Sequence, residues 1–139
     1  RCKNVTFYVE KGILFIQLPS GRRLSYCKPK VQTNDYGRES VSYEGVGSTK
    51  KWERIESYGP KFVENIIQGT SASLLAYAMQ TLTDEGYEIV MHVHDEVVIE
   101  APMDVDMEKV CNLMALTPKW AEGLILNAAG YECEFYKKD

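Results

Sequence analysis

Two neighbouring stretches decide the fold: residues 61–82, KFVENIIQGTSASLLAYAMQTL, and residues 87–100, YEIVMHVHDEVVIE. In the first stretch, apolar residues recur at three- and four-residue spacing, which predicts a long amphipathic helix. Tyr58-Gly59-Pro60 before it suits a helix start, and Asp84-Glu85-Gly86 after it suits a helix end. The second stretch holds two β-branched runs on either side of His94-Asp95-Glu96, which predicts a tight hairpin with these polar residues at its tip.

The sequence before the helix predicts a small sheet followed by a loop. Apolar runs at residues 5–10, 12–18 and 24–26, with a Pro/Gly turn signal before the third, are typical of an antiparallel meander. Residues 28–48 are rich in polar residues, Pro and Gly and have little periodicity, which predicts a solvent-facing loop or insertion with a disordered tip. We therefore expect residues 1–58 to form a β-meander plus a polar loop.

The sequence after the hairpin predicts a second helix and a last strand. Residues 104–115 open with acidic residues that suit a helix N-terminus, and residues 118–122 supply a short turn. Tyr131, Cys133 and Phe135 alternate with glutamates, which is the period of a strand. The expected fold class is α+β, with the hairpin of an antiparallel sheet packed on the long helix. Residues 59–139 would form one segment of a larger domain together with the meander.

Composition limits the class of protein. With 139 residues, 45% hydrophobic and 26% charged, the chain is globular and fits one domain or a piece of one. It has no apolar run long enough to cross a membrane and no signal segment, so we expect a cytoplasmic protein without a membrane partner. The four cysteines are far apart, which favours reduced thiols. Because the chain begins without Met, we interpret it as a fragment whose upstream part belongs to the same polypeptide.

Charge is unevenly distributed along the chain. Residues 1–61 carry twelve Lys and Arg against six Asp and Glu, whereas residues 62–139 carry four against fourteen. The first half suits contact with a polyanion and the second half suits the binding of cations. We therefore expect salt-sensitive binding of a polyanion through the basic residues of the first segment, namely Arg22, Arg23, Lys28, Lys30, Lys50, Lys51 and Lys61.

The hairpin tip is the strongest candidate for chemistry. Adjacent carboxylates at Asp95 and Glu96 repel each other unless a cation or a donor lies between them, and Mg²⁺ prefers such hard oxygen ligands. The alternative is a zinc-dependent hydrolase that uses His92 and His94, which would share one face of a strand. Since these are the chain's two histidines, zinc would need a third ligand of another type.

The helix carries a second group of candidates. Gln68 and Asn65 have amide side chains, which offer both donors and acceptors and suit hydrogen bonds to the groove edges of DNA. Gly69 and Ala72 are small, and we expect them to allow tight packing of the helix against the hairpin.

The helix residues 64–70, ENIIQGT, followed by the hairpin residues 93–100, VHDEVVIE, resemble the family A DNA polymerases, the DNA polymerase I type. Residues 18–22 (LPSGR), 58–61 (YGPK) and 135–139 (FYKKD) are similar to polymerases of bacteriophages and prophages. The resemblance covers nearly the whole chain, which would be the C-terminal palm region. It implies template-directed addition of dNTPs to a primer 3′ end with two Mg²⁺ ions, and primer–template DNA as the partner.

The resemblance also implies a role for each matched residue. Asp95 falls on the palm aspartate that binds the catalytic metal ions, Glu96 on the neighbouring glutamate, and His94 on a residue that approaches the primer end. Gln68 falls on a glutamine that touches the minor groove, where the acceptors are nearly the same for every base pair.

The resemblance has departures as well. Asn65 is offset by one from the bacterial pattern, Pro60 replaces a common Gly, and the residues 71–73 lack a frequent Arg-Asp pair. An earlier palm aspartate and a nucleotide-binding fingers helix are absent from this sequence, so we expect the chain alone to be inactive. A non-catalytic nucleic-acid-binding domain with a palm-like shape is the other reading that the sequence leaves open.

Overall fold

The computed structural model describes residues 4–33 and 36–136, and it places five strands before the first helix. The strands are β1 (Thr6–Glu10), β2 (Ile13–Gln17), β3 (Arg23–Thr33), β4 (Glu39–Val46) and β5 (Trp52–Ser57). Then follow α1 (Gly59–Asp84), β6 (Glu88–Val93), β7 (Glu96–Glu100), α2 (Met107–Met114) and a 3₁₀ turn (Lys119–Ala121). The mixed α and β content with antiparallel sheets confirms the predicted fold class at this level. The chain divides into two compact units, residues 1–70 and residues 71–139.

The first unit is built on a five-stranded meander. Its strand order is β1-β2-β3-β4-β5, so that every strand pairs antiparallel with its neighbour in the sequence. Between β2 and β3, Leu18 N–H donates to Arg22 O (2.8 Å) and Gly21 has φ 86°, a left-handed conformation that glycine adopts without strain. The predicted Pro/Gly turn is therefore present.

The core of the first unit lies between one face of this sheet and the first part of α1. Ile16, Tyr26 and Phe62 are its buried centre, and these side chains are at most 9% exposed. The half-buried apolar side chains around them are Val5, Leu14, Leu24, Val41, Tyr43 and Ile66. Alternate positions of β2 and β3 point to this face, as the strand period requires.

The prediction of a loop over residues 28–48 is wrong. β3 continues to Thr33, and β4 occupies residues 39–46. The alternation is hidden because Lys28 has φ 46° at a register shift between Cys27 and Lys30, and because the buried residues of β4 include Ser40 and Ser42. The expected disordered tip includes residues 34 and 35, which lie outside the described residues.

In the second unit, α1 ends at a well-defined cap. Tyr87 N–H donates to Leu82 O and Gly86 N–H to Thr83 O (both 3.0 Å), and Gly86 has φ 89°. This is a Schellman cap, and it confirms the predicted helix end. Leu82 is fully buried, and Ala78 is 5% exposed one turn earlier.

The second helix is also present, although it is shorter than predicted. α2 begins at Met107 because Asp106 is its N-cap, whose carboxylate accepts a hydrogen bond from Lys109 N–H (3.1 Å). The predicted short turn is the 3₁₀ segment Lys119–Ala121.

The predicted closing strand is wrong. Residues 131–136 contain no strand, and the apolar Phe135 is 73% exposed. The alternation of aromatic and acidic residues here does not reflect a buried face.

Within residues 4–33 and 36–136, Cys27, Cys111 and Cys133 are free thiols. None of the helices in these ranges combines the length and apolar character that crossing a bilayer needs.

Candidate nucleic-acid and metal sites

A shallow cavity of about 450 Å³ lies between β3 and α1 in the first unit. It is lined by Arg23, Leu24, Ser25 and Tyr26 from β3 and by Asn65, Gln68 and Gly69 from α1. Two predicted nucleic-acid-binding residues of the helix, Asn65 and Gln68, thus share one cavity with Arg23. We call it the β3–α1 cavity.

Gly69 brings the helix close to the sheet at this cavity. A Cβ added at Gly69 would lie 2.8 Å from Leu18 Cδ1 and 3.4 Å from a methyl group of Leu24. The expected tight packing at this glycine is therefore present, and the side chains it meets, Leu18 and Leu24, belong to the meander.

The two amides of the cavity differ in their surroundings. Gln68 is exposed, whereas Asn65 is half-buried and its Nδ2 donates a hydrogen bond to the hydroxyl of Tyr26 (3.0 Å). Sequence reasoning did not single out Tyr26. One signal was available. Leu24 and Tyr26 alternate in β3, which predicts that both face the helix, and a tyrosine at such a position can hydrogen-bond to an amide of the helix.

The basic residues that were predicted to contact nucleic acid differ in their partners within the protein. Arg23 lies 5.2 Å from the ring centroid of Phe15 and donates to Tyr8 Oη (3.2 Å), and this hydrogen bond raises the guanidinium pKa above its usual value. Lys61 pairs with Glu64 (2.9 Å), which raises the pKa of its ammonium group. Arg22 is exposed in the turn and forms no ion pair with any described residue.

The carboxylates of the second unit lie at the tip of the β6–β7 hairpin. His94 and Asp95 form a two-residue turn, and Glu96 already pairs with Val93 as the first residue of β7. His94 has φ 53°, the positive value at the first central position that two-residue hairpin turns need. Asp95 is exposed and Glu96 is half-buried.

Glu96 has a partner that sequence reasoning did not assign. Tyr136 Oη donates to Glu96 Oε2 at 3.4 Å, so the C-terminal segment reaches the carboxylate side of the hairpin. Partial burial of Tyr136, with the negative charge of Glu96 beside it, raises the pKa of its hydroxyl.

The metal-binding expectations have different outcomes. His94 lies in the turn and not on β6, so the expectation that His92 and His94 share a strand face is wrong. In the described parts of the chain, no three His, Cys, Asp or Glu side chains group closely enough to hold a metal ion by themselves. Asp95 and Glu96 remain a pair of adjacent oxygen ligands.

Comparison with known proteins identifies DNA polymerases as the class that this chain resembles. Over 138 residues, which are 98% of the chain, the sequence is 47% identical to the DNA polymerase of Bacillus phage SP02. The match covers 21% of the phage protein, so the chain spans about a fifth of the length of this relative. No protein-family model matches the chain, and no solved structure matches it. The predicted resemblance to a bacteriophage polymerase is confirmed by this match.

Proposed function

We propose that this chain is part of a template-directed DNA polymerase of the family A type, which adds dNTPs to the 3′ end of a primer. The observation that supports the proposal most is the 47% identity to a phage DNA polymerase over nearly the whole chain. In this proposal the chain is a palm segment, and the hairpin carries residues of the reaction centre.

The hairpin tip would supply the catalytic groups. Asp95 is the proposed metal ligand, Glu96 its neighbour, and His94 the residue closest to the primer end. The two-residue turn makes this assignment chemically reasonable, because it exposes Asp95 while β7 holds Glu96 one residue further on.

The donor set at this tip fits Mg²⁺ only as part of a larger site. Mg²⁺ is usually held by one or two carboxylates together with substrate phosphates and water, and Asp95 with Glu96 gives two carboxylates. When bound, Mg²⁺ neutralises developing negative charge on phosphoryl oxygens. The task of this chain is then to keep two carboxylates adjacent, with Tyr136 as a hydrogen-bond donor to the second.

The first unit would hold primer–template DNA. Gln68 and Asn65 lie in the β3–α1 cavity. The exposed amide of Gln68 can donate hydrogen bonds to the minor-groove acceptors that all base pairs share. Arg22, Arg23 and Lys61 add positive charge on the same unit, which favours binding to phosphates.

The test is Asp95→Ala in the complete polymerase polypeptide that contains this chain. Primer extension with Mg²⁺ and four dNTPs should be abolished, while affinity for duplex DNA stays within about a factor of two, because a metal ligand is not a main DNA anchor. The matched control is Glu88→Ala, which removes an exposed carboxylate from the far end of the same hairpin. Extension by this control should be unchanged.

Near-normal extension by Asp95→Ala would exclude the assigned catalytic role. If the wild-type polypeptide binds DNA but extends no primer, a non-catalytic nucleic-acid-binding domain is the better description. The 139-residue chain by itself should not extend a primer, since its sequence lacks the earlier palm aspartate and the fingers helix that the resemblance implies.

A further inference from the structure

Tyr26 is held inside the apolar cluster of the first unit. Its side chain is 6% exposed, and its ring makes edge contacts with the rings of Tyr43 and Phe62, each with a centroid distance of 4.9 Å. Close packing on two sides restricts the ring to one orientation. The hydroxyl at its end is therefore fixed in position, and Tyr26 lines the β3–α1 cavity.

The hydrogen bond between Tyr26 and Asn65 has a definite direction. Asn65 Nδ2 carries two hydrogens and no acceptor lone pair, so it donates and Tyr26 Oη accepts (3.0 Å). The hydroxyl's own hydrogen is not used in this bond, and the described residues form no other hydrogen bond to Tyr26 Oη. Burial raises the pKa of Tyr26 above its ordinary value of 10.0, so the hydrogen is present at neutral pH.

We propose that Tyr26 is a DNA-contacting residue whose hydroxyl, oriented by Asn65, donates its hydrogen to an acceptor of duplex DNA in the β3–α1 cavity. Asn65 then acts as a positioning residue, because one of its two Nδ2 hydrogens is directed to Tyr26 Oη. This inference rests on the proposed function, since it assumes that the cavity receives DNA. It adds to Gln68 a second donor that does not depend on the base sequence.

Two groups of duplex DNA supply such an acceptor. Purine N3 and pyrimidine O2 lie in the minor groove of every base pair, and phosphate oxygens lie along the backbone. A hydroxyl can donate to an acceptor of either group. Duplexes that lack one acceptor at a time are therefore needed to show which group Tyr26 contacts.

The experiment measures binding of the 139-residue chain to a fluorescent primer–template duplex at low salt, with Tyr26→Phe and the matched control Tyr43→Phe. Tyr43 belongs to the same aromatic cluster, but its hydroxyl has no bond to Asn65. Loss of one hydrogen bond should raise the Kd of Tyr26→Phe about three- to tenfold and leave that of Tyr43→Phe unchanged. The double variant Tyr26→Phe/Asn65→Ala should bind no more weakly than Tyr26→Phe, since the two residues act through one hydroxyl.

A second arm identifies the acceptor without relying on the stability of a variant. Single 3-deazapurines, which lack N3, single pyrimidine analogues that lack O2, and single methylphosphonates, which lack a charged phosphate oxygen, are placed at successive positions of the duplex. At one position, one of these changes should weaken wild-type binding several-fold and have no further effect on Tyr26→Phe.

The outcomes separate the inference from the proposed function. If the wild-type chain binds the duplex but Tyr26→Phe binds equally well, or if every DNA change weakens both proteins equally, the inference is overturned and the proposed function stands. If the wild-type chain binds no duplex DNA at any salt concentration, the proposed DNA site of the first unit and this inference both fail.

Discussion

At the scale of single residues, Gly69 shows how closely α1 approaches the sheet. We expect Gly69→Val to lower the free energy of unfolding by about 1–3 kcal/mol, because the added carbons would overlap the buried side chain of Leu18. The control is Gly59→Val, at a helix position where an added Cβ meets no atom within 4 Å. Urea unfolding of both variants checks the prediction, and equal stability of the two would contradict it.

A second prediction at this scale concerns Glu44 and pH. Lys28 Nζ (2.8 Å), followed by Trp52 Nε1 (3.2 Å), holds the pKa of Glu44 below its ordinary value of 4.5, and Arg54 lies at 3.2 Å. A carboxyl whose folded-state pKa is depressed contributes stability above its unfolded pKa, and this contribution is lost as pH falls through the folded value.

Glu44→Gln should therefore melt below the wild type at pH 7, and the difference should shrink as the pH falls below about 4.5. Melting temperatures of both proteins from pH 7 to pH 3 measure it. The matched control is Glu39→Gln on the same strand, at an exposed position without an ion pair to any described residue. A difference between wild type and Glu44→Gln that stays constant with pH would contradict the role of the ion pair.

At the scale of elements, the β6–β7 turn depends on the left-handed backbone of His94. We expect His94→Val to weaken the hairpin by about 1–2 kcal/mol, since a β-branched residue is strained at a φ of 53°. His94→Gly, which adopts this conformation freely, should leave the hairpin's stability close to that of the wild type. Hydrogen exchange of the amides of β6 and β7 measures the difference, and equal protection in both variants would contradict it.

The elements also show what the sequence could and could not predict. α1 was predictable at both ends because Pro60 and Gly86 have direct backbone consequences. The second part of β3 and the whole of β4 were not, because polar side chains there bond to one another: Ser42 Oγ donates to Gln32 Oε1 (3.1 Å), and Arg54 Nη1 donates to Ser42 Oγ (3.2 Å). Val41 and Tyr43 of β4 pack against the core, but their apolar alternation is short, and the buried positions that alternate with them are serines.

The same limit applies to the candidate sites. The sequence predicted the amides of α1 and the carboxylates of the hairpin, because those residue types stand out within apolar elements. It could not predict the contact of Tyr26 with Asn65 or that of Tyr136 with Glu96, since each joins residues about 40 positions apart. Such pairs depend on packing and not on local pattern.

At the scale of the whole molecule, the charge division predicts how DNA binding responds to salt. We expect the triple charge reversal Arg22→Glu/Lys50→Glu/Lys51→Glu to weaken duplex binding equally for unrelated sequences and to reduce the slope of log K against log salt. All three side chains are exposed and form no ion pair with the described residues. The single reversal Lys119→Glu in the acidic half is the control and should have little effect. Unchanged affinity of the triple variant would mean that these basic residues do not contact DNA phosphates and only keep the surface of the first unit solvated.

The strand order of the meander has a consequence for the speed of folding. Because each strand of the first sheet pairs with its neighbour in the sequence, every pairing closes a short loop, and the search for partners is local. Relative contact order is therefore low for a sheet of this size, and it favours folding on the faster side of the range for β-rich units. The segment can assemble one hairpin at a time, with each new strand adding to an edge that already exists.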